Sequence, residues 1–72
     1  MKYKLRFDKN SNIVILNCDN GDFNNIKGLI GRFGYGYSVE KQEDITKFYI
    51  RVNSKDDFKR LKSLWKSAQR FI

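Results

Sequence analysis

Neighbouring carboxylates are the side chains whose spacing in this sequence comes closest to that of an acid–base pair. They occur as Glu43-Asp44 and Asp56-Asp57. The first pair falls in a predicted turn. The second falls in the first turn of a predicted helix, where acids offset the helix dipole. The sequence has no His and one Cys, Cys18, so neither a zinc site nor a nucleophile–base pair is expected. We therefore expect no enzymatic activity and no metal or other cofactor.

Positive charge is the stronger chemical signal. Fifteen basic and eight acidic residues give a net charge of +7 over 72 residues, which favours anionic partners such as DNA or RNA. A lysine-rich surface that only keeps the protein soluble is the alternative. The longest apolar run, Ile13-Val14-Ile15-Leu16, is too short to span a bilayer, and a single Cys fits a reducing compartment. We expect a cytoplasmic protein without membrane contact.

Two segments of the chain, 19–30 and 54–65, resemble each other without a gap. The matched pairs are Asp22 with Asp57, Phe23 with Phe58, Ile26 with Leu61, Lys27 with Lys62 and Leu29 with Leu64. In both segments a residue suited to capping a helix is followed three positions later by an acid and then by Phe. We therefore predict a single domain, 1–72, built from half-repeats of about 1–36 and 37–72.

Hydrophobic periodicity predicts two strands and one helix in each half. The predicted strands are 2–7, 13–18, 37–41 and 45–52, and the predicted helices are 21–33 and 55–72. Short turns between the strands indicate antiparallel hairpins. The predicted fold class is α+β: a two-layer ββαββα domain with a four-stranded, mainly antiparallel sheet and both helices on one face.

The helices give further local predictions. Asp19 or Asn20 is expected to cap the first helix, and Ser54 the second. Gly28 and Gly31 are expected to pack closely on the sheet, and the glycines of 34–36 to adopt positive φ. Strand 13–18 is nearly continuous in apolar residues, which predicts an interior strand covered on both faces. The predicted core comprises Phe23, Ile26, Ile30, Phe58, Leu61 and Trp65.

The sheet face opposite the helices is a candidate binding surface. It is expected to present Lys2, Lys4, Arg6, Lys47, Tyr49 and Arg51. Single-stranded nucleic acids bind such surfaces, because bases stack on rings while Lys and Arg contact phosphates. We place Val14 and Leu16 on the same face, as an apolar stripe for a second copy or another protein. An ordinary solvated face covered by long basic side chains is the third interpretation.

The last helix is the second basic feature. Outside its apolar stripe it carries Lys59, Lys62 and Lys66, with further basic residues at Lys55, Arg60 and Arg70. A basic helix docks against phosphates or enters the major groove of duplex DNA. Few of its side chains suit base reading, so we expect contacts to the nucleic-acid backbone with little sequence readout. Exposed helices are also rich in Lys for ordinary reasons of solubility.

Arginine, glycine and aromatic residues occur together in 32–37, Arg-Phe-Gly-Tyr-Gly-Tyr. This composition is similar to that of RNA-binding loops. A helix end, a tight turn and a strand start explain it equally well, and that is the interpretation we favour.

Residues 1–33 resemble the start of the small N-terminal domain of recombination helicases from T-even-type phages. The resemblance lies in Lys4-x-x-Phe7, Ile13-x-Ile15, Cys18 and Phe23-x-x-Ile26. In that family the domain precedes the helicase motor and helps to engage branched DNA. No Walker motif follows in this sequence, so the resemblance implies an accessory DNA-binding role and no helicase activity.

Two hypotheses follow from the sequence. The first is a small non-enzymatic nucleic-acid-binding module, phage-encoded, that acts in replication, recombination or transcription. The second is a protein-binding modulator that docks on a host or phage enzyme through its open sheet face or an edge strand.

Overall fold

The structure, a computed structural model, describes residues 3–68. Its elements are β1 (Arg6–Asp8), β2 (Ile13–Asp19), α1 (Phe23–Phe33), β3 (Tyr37–Lys41), β4 (Ile45–Arg51) and α2 (Lys55–Ala68). This order confirms the predicted ββαββα arrangement and its α+β class. The predictions for Lys2 and for the helix beyond Ala68, including Arg70, lie outside the described residues.

The four strands form one antiparallel sheet in the order β1-β2-β4-β3. Each half-repeat contributes one central and one edge strand, so β1 and β3 form the two edges. The β1–β2 turn is closed by Asp8, which accepts hydrogen bonds from Asn10 N at 3.1 Å and Ser11 Oγ at 2.9 Å. Asn12 follows with φ 55°, a backbone region that Asn tolerates better than most residues.

Both helices cover the same face of the sheet. Ile26 and Ile30 of α1 and Leu61 and Trp65 of α2 are fully buried in one cluster with the inner residues of β2 and β4. This confirms four of the six predicted core residues. The other two, Phe23 and Phe58, are partly buried and pack against that cluster; Phe23 stacks on Phe48 of the cluster, and Phe58 on the partly buried Phe7.

The prediction for the faces of β2 was wrong. Val14 and Leu16 are completely buried beneath the helices, because Val14 pairs with Ile50 and Leu16 with Phe48 on the inner face. Side chains alternate along a strand, so this register sends Ile13 and Ile15 to the other side, where both are half-buried. The strand is interior, as predicted, but helices cover only one of its faces.

The start of α1 also differs from the prediction. A 3-10 turn, Asn20–Asp22, precedes the helix, and no side chain makes a capping hydrogen bond there. Asn20 instead accepts a hydrogen bond from the buried Thr46 hydroxyl at 2.7 Å and donates to the Glu43 carbonyl at 3.1 Å. Asn20 thus connects the two half-repeats and is not free to cap the helix.

The glycines of α1 do not pack on the sheet as predicted. A Cβ placed on Gly28 or Gly31 would meet nothing within 4 Å, and both residues are exposed. The predicted turn at Gly34 is confirmed: it has φ 86°, and its N–H and that of Tyr35 donate to the Gly31 and Ile30 carbonyls. Gly36 does not have positive φ, which corrects the prediction for that residue.

The start of α2 agrees with its predicted cap. Ser54 Oγ accepts a hydrogen bond from Asp57 N at 3.2 Å, and the Asp57 carboxylate accepts one from Asn53 N at 2.9 Å. The first bond satisfies a backbone donor that the first helical turn leaves without a carbonyl partner, and the second holds Asn53, the residue before the cap.

Candidate nucleic-acid interface

Cross-strand pairing determines which side chains share the open face, the side of the sheet away from the helices. Across all four strands it aligns Arg6 with Ile15, Ile15 with Tyr49, and Tyr49 with Ser38. Directly paired residues of antiparallel strands project to the same side. By the same register the open face contains Arg6, Asp8, Ile13, Ile15, Asn17, Ser38, Glu40, Lys47, Tyr49 and Arg51. The predicted residues Arg6, Lys47, Tyr49 and Arg51 are therefore brought together.

The open face carries mixed charge. Glu40 pairs directly with Lys47, and Asp8 lies two residues from Arg6 on the same side of β1. These acids offset much of the positive charge that the sequence assigned to this surface. The open face alone is a weaker attractor of phosphate than its basic residues indicate.

Tyr49, the predicted stacking residue, is held by an acid. Its hydroxyl donates to Glu40 Oε1 at 3.0 Å, and this hydrogen bond is the main cause that raises the Tyr49 pKa. The ring is half-buried between its neighbours in the sheet. A base that stacks on this ring would also bring its phosphates near the Glu40 carboxylate.

Ile13 and Ile15 replace Val14 and Leu16 as the apolar residues of the open face. The run from Ile13 to Leu16 has no alternation in polarity, so it gives no indication of which residues face inward. The residues further along the strand do show which side faces outward, because the polar Asn17 and Asp19 flank the apolar Cys18. Counting back from these polar positions assigns Ile13 and Ile15 to the outer side.

The lysines of α2 form a stripe along one side of the helix. Lys55, Lys59, Lys62 and Lys66 follow one another at spacings of four, three and four residues, which is the repeat of one helical face. The last three line a shallow depression of about 300 Å³ together with Ser63. No acidic residue occurs in the sequence from Phe58 onward, so this stripe is not neutralised by acids of its own helix beyond the first turn.

A cleft at the edge of β1 connects the lysine stripe with the sheet. Lys4 and Lys62 line this cleft, of about 250 Å³, with Leu5 and Trp65. Lys4 lies two residues before Arg6 and Lys62 also borders the depression on α2. We define the basic band as the resulting series of exposed residues, namely Arg6, Lys4, Lys62, Lys59 and Lys66. The sheet and helix surfaces, predicted as alternatives, therefore meet.

Packing between β1 and α2 produces this junction. The Phe7 and Phe58 rings stack with centroids 4.9 Å apart, and Trp65 Nε1 donates to the Tyr3 carbonyl at 3.2 Å. Lys62 Nζ lies 5.8 Å from the Phe58 ring centroid, so the ammonium group stands over one ring of this pair while the side chain remains exposed.

The carboxylates and Cys18 are the remaining side chains with a capacity for metal binding or nucleophilic chemistry. Within residues 3–68 there is no group of three or more His, Cys, Asp or Glu side chains that could hold a metal ion. Cys18 is buried; burial, and then the charges of Asp22 and Asp19, raise its pKa. The thiol therefore stays protonated at neutral pH and is a poor nucleophile.

Sequence analysis missed one polar cluster, formed by Tyr35, Asp57 and Arg60. The Tyr35 hydroxyl donates to Asp57 Oδ1 at 2.8 Å and accepts from Arg60 Nη1 at 2.7 Å. These residues come from the α1–β3 loop and from α2, more than twenty positions apart. The aromatic and glycine composition of residues 32–37 is the signal in the sequence that points to this cluster, and it also predicts a simple turn.

No protein-family model, curated protein or solved structure matches this chain. In the part of the chain that the structure describes, no helix has the length and apolar character needed to cross a membrane.

Proposed function

We propose that this protein is a small, non-enzymatic module that binds the sugar–phosphate backbone of DNA or RNA. In this role it is an accessory, phage-encoded factor in replication, recombination or transcription. The single observation that carries the proposal is the basic band, which extends from Arg6 and Lys4 across the β1 edge to the lysines of α2.

The chemistry of the band suits phosphate better than bases. Four of its five members are lysines, which act as flexible point charges and do not form the planar forks that recognise base edges. Each phosphate that a lysine neutralises releases a condensed counterion, so affinity falls as the salt concentration rises. The expected interaction is therefore sensitive to salt and tolerant of sequence.

The helix supports this proposal more strongly than the sheet does. Acids interrupt the positive charge of the open face, and Glu40 holds the Tyr49 hydroxyl. The α2 stripe has no such interruption after the first helical turn. Lys47, Tyr49 and Arg51 then make a second, weaker contact region, in which one base stacks on Tyr49.

A salt-dependent titration tests the proposal. Fluorescence anisotropy would be measured with labelled single-stranded DNA, duplex DNA and RNA of one sequence and length, from low to physiological salt. We expect binding whose log K falls linearly with log salt, by about 0.9 per phosphate contact on duplex DNA and about 0.7 on single strands. Absence of binding to all three at low salt would refute the proposal.

A second candidate function is protein docking through the open face, favoured by the half-buried Ile13 and Ile15. Such docking suits a modulator of a host or phage enzyme, or a homodimer. Sedimentation velocity over a wide concentration range tests the homodimer: an association that Ile15→Lys abolishes supports it. A monomer at every concentration contradicts it.

A further inference from the structure

We propose that the cavity between the α1–β3 loop and the start of α2 binds a phosphate group. Its volume is about 500 Å³, and its wall combines the loop 33–36 with Arg51, Asn53, Asp57 and Arg60. None of these residues belongs to the basic band. Arg51 also belongs to the weaker contact region of the open face, so the site shares this residue with the proposed function. It is independent of the basic band, and free phosphate can probe it without nucleic acid.

Arg60 is held in place before any ligand arrives. Its Nη1 donates to the Tyr35 hydroxyl at 2.7 Å, and its guanidinium carbon lies 5.4 Å from the Tyr35 ring centroid. The same hydroxyl donates to Asp57 Oδ1 at 2.8 Å. A guanidinium has five N–H donors, and this hydrogen bond uses one of them. Because Tyr35 fixes the side chain, binding an anion costs Arg60 little conformational entropy.

Arg51, at the end of β4, lines the cavity with its side chain next to Gly36. Its backbone N donates to the Gly36 carbonyl at 2.9 Å. A Cβ added at Gly36 would lie 3.6 Å from Arg51 Nε and 3.7 Å from Nη2. The absence of a side chain at Gly36 leaves the surface beside the guanidinium uncovered. Among residues 3–68 the Arg51 guanidinium has no hydrogen-bond partner.

The charges around the cavity favour an anion. Two guanidinium groups face one carboxylate, and both oxygens of that carboxylate are already engaged, by Tyr35 and by Asn53 N. The backbone hydrogen bond from Asn53, then that from Tyr35, lowers the Asp57 pKa, so Asp57 is ionised at neutral pH. One positive charge remains, with planar N–H forks of the kind that bind phosphate oxygens in pairs.

The phosphate has two sources: a free or strand-terminal phosphomonoester, or an internal phosphodiester of a nucleic acid. Both offer the oxygens that the two arginines require. The volume also accommodates a sugar attached to the phosphate, so size does not separate the two sources. Comparison of ligands that differ only in the terminal phosphate separates them.

Amide NMR tests the site directly. The backbone amides of Gly34, Tyr35 and Gly36 would be followed while inorganic phosphate is added, with sodium chloride of equal ionic strength as the control. We expect saturable shifts with phosphate alone. The titration is then repeated with oligothymidylate carrying a 5′-phosphate or a 5′-hydroxyl. Shifts with the phosphorylated strand alone identify a terminal phosphate, and equal shifts identify internal phosphates. No shift at these amides with any of the three ligands overturns the proposal.

Matched substitutions test the roles of the residues. Arg51→Gln and Arg60→Gln should each weaken phosphate binding about tenfold, since each removes charged hydrogen bonds. Tyr35→Phe should weaken it about threefold, because it frees the positioned Arg60 while keeping the ring. Lys27→Gln, on α1, removes one positive charge away from the cavity and should have no effect on phosphate binding.

The outcome for the double variant decides the proposal. If Arg51→Gln combined with Arg60→Gln binds phosphate as tightly as the parent, with an unchanged amide spectrum elsewhere, the site is refuted. Substitution of Lys59, Lys62 and Lys66 by Gln should leave the inorganic phosphate shifts in place. The two proposals can therefore fail separately.

Discussion

Asp57 accepts hydrogen bonds at both carboxylate oxygens and so connects the start of α2 with the α1–β3 loop. A glutamate reaching back to a backbone N–H is the usual form of this cap. Here the shorter Asp side chain reaches Asn53 N and leaves its other oxygen to Tyr35. The sequence predicted the cap from the spacing of Ser54 and Asp57, but Tyr35 is distant along the chain and no local pattern indicates it.

The first prediction concerns the pH dependence of stability. The Asp57 pKa is lowered from its ordinary value of 3.8, so folding favours the charged form. This contribution is present above pH 3.8 and is lost as the pH falls through the lower pKa of the folded state. We expect Asp57→Asn to have a lower melting temperature at pH 7, with a difference from the parent that shrinks as the pH falls below 3.8 and through the lower pKa of the folded state. A constant difference from pH 7 to pH 2 would contradict this.

The second prediction compares Gly28, inside α1, with Gly34, the residue that ends it. Gly28→Ala should stabilise the protein by about 0.5–1 kcal/mol, because Ala favours the helix and the added methyl meets nothing. Gly34→Ala should cost about 1–2 kcal/mol, since an L-residue is strained in the left-handed region. Urea unfolding of both variants measures these changes. A destabilised Gly28→Ala would show that the outer face of α1 is covered.

At the scale of elements, alternation in polarity predicted the faces of β4 but not the bounds of β1, because β1 is Arg6–Asp8 and residues 3–5 of the predicted strand 2–7 lie outside it. β4 alternates in polarity from Lys47 to Arg51, and the inner and outer faces of this stretch match the prediction. The buried side of α2 also matches the predicted apolar stripe, as far as Ala68. The prediction for β2 failed because its apolar run is uniform, and the polar residues that show which side faces outward, Asn17 and Asp19, lie after that run.

The third prediction tests the corrected faces of β2. Leu16→Lys should cost at least about 3 kcal/mol, because it places an unpaired charge in the core. Ile15→Lys, one residue away on the open face, should cost no more than about 1 kcal/mol. Chemical denaturation of the two variants gives the comparison. Equal losses would show that both faces of β2 are covered.

The fourth prediction concerns the docking of α2 on the sheet. Trp65 is completely buried and donates to the Tyr3 carbonyl. Trp65→Ala should reduce the free energy of unfolding by about 3–5 kcal/mol, a large part of the stability of so small a domain. Lys66→Ala is the matched exposed control, expected to change it by less than about 0.5 kcal/mol. A Trp65→Ala variant that melts like the parent would contradict the packing of α2.

At the scale of the whole molecule, the sequence indicated the basic residues but not their connection. Lys4 and Lys62 share a cleft because β1 packs beside α2, and that neighbourhood depends on contacts between the two ends of the chain. The cavity lined by Arg51 and Arg60 also depends on contacts between distant parts of the chain, since the α1–β3 loop meets the start of α2 only in the folded protein. Local patterns cannot predict such sites.

The fifth prediction tests the basic band by the salt dependence of nucleic-acid binding in two triple variants. One replaces Lys59, Lys62 and Lys66 with Gln. The control replaces Lys9, Lys27 and Arg32, which are also exposed, so both variants lose three positive charges. The band variant should lower the magnitude of the slope of log K against log salt by about 2 on single strands, while the control keeps the parent slope. Equal slopes for the two variants would show that net charge alone drives binding and would contradict the basic band.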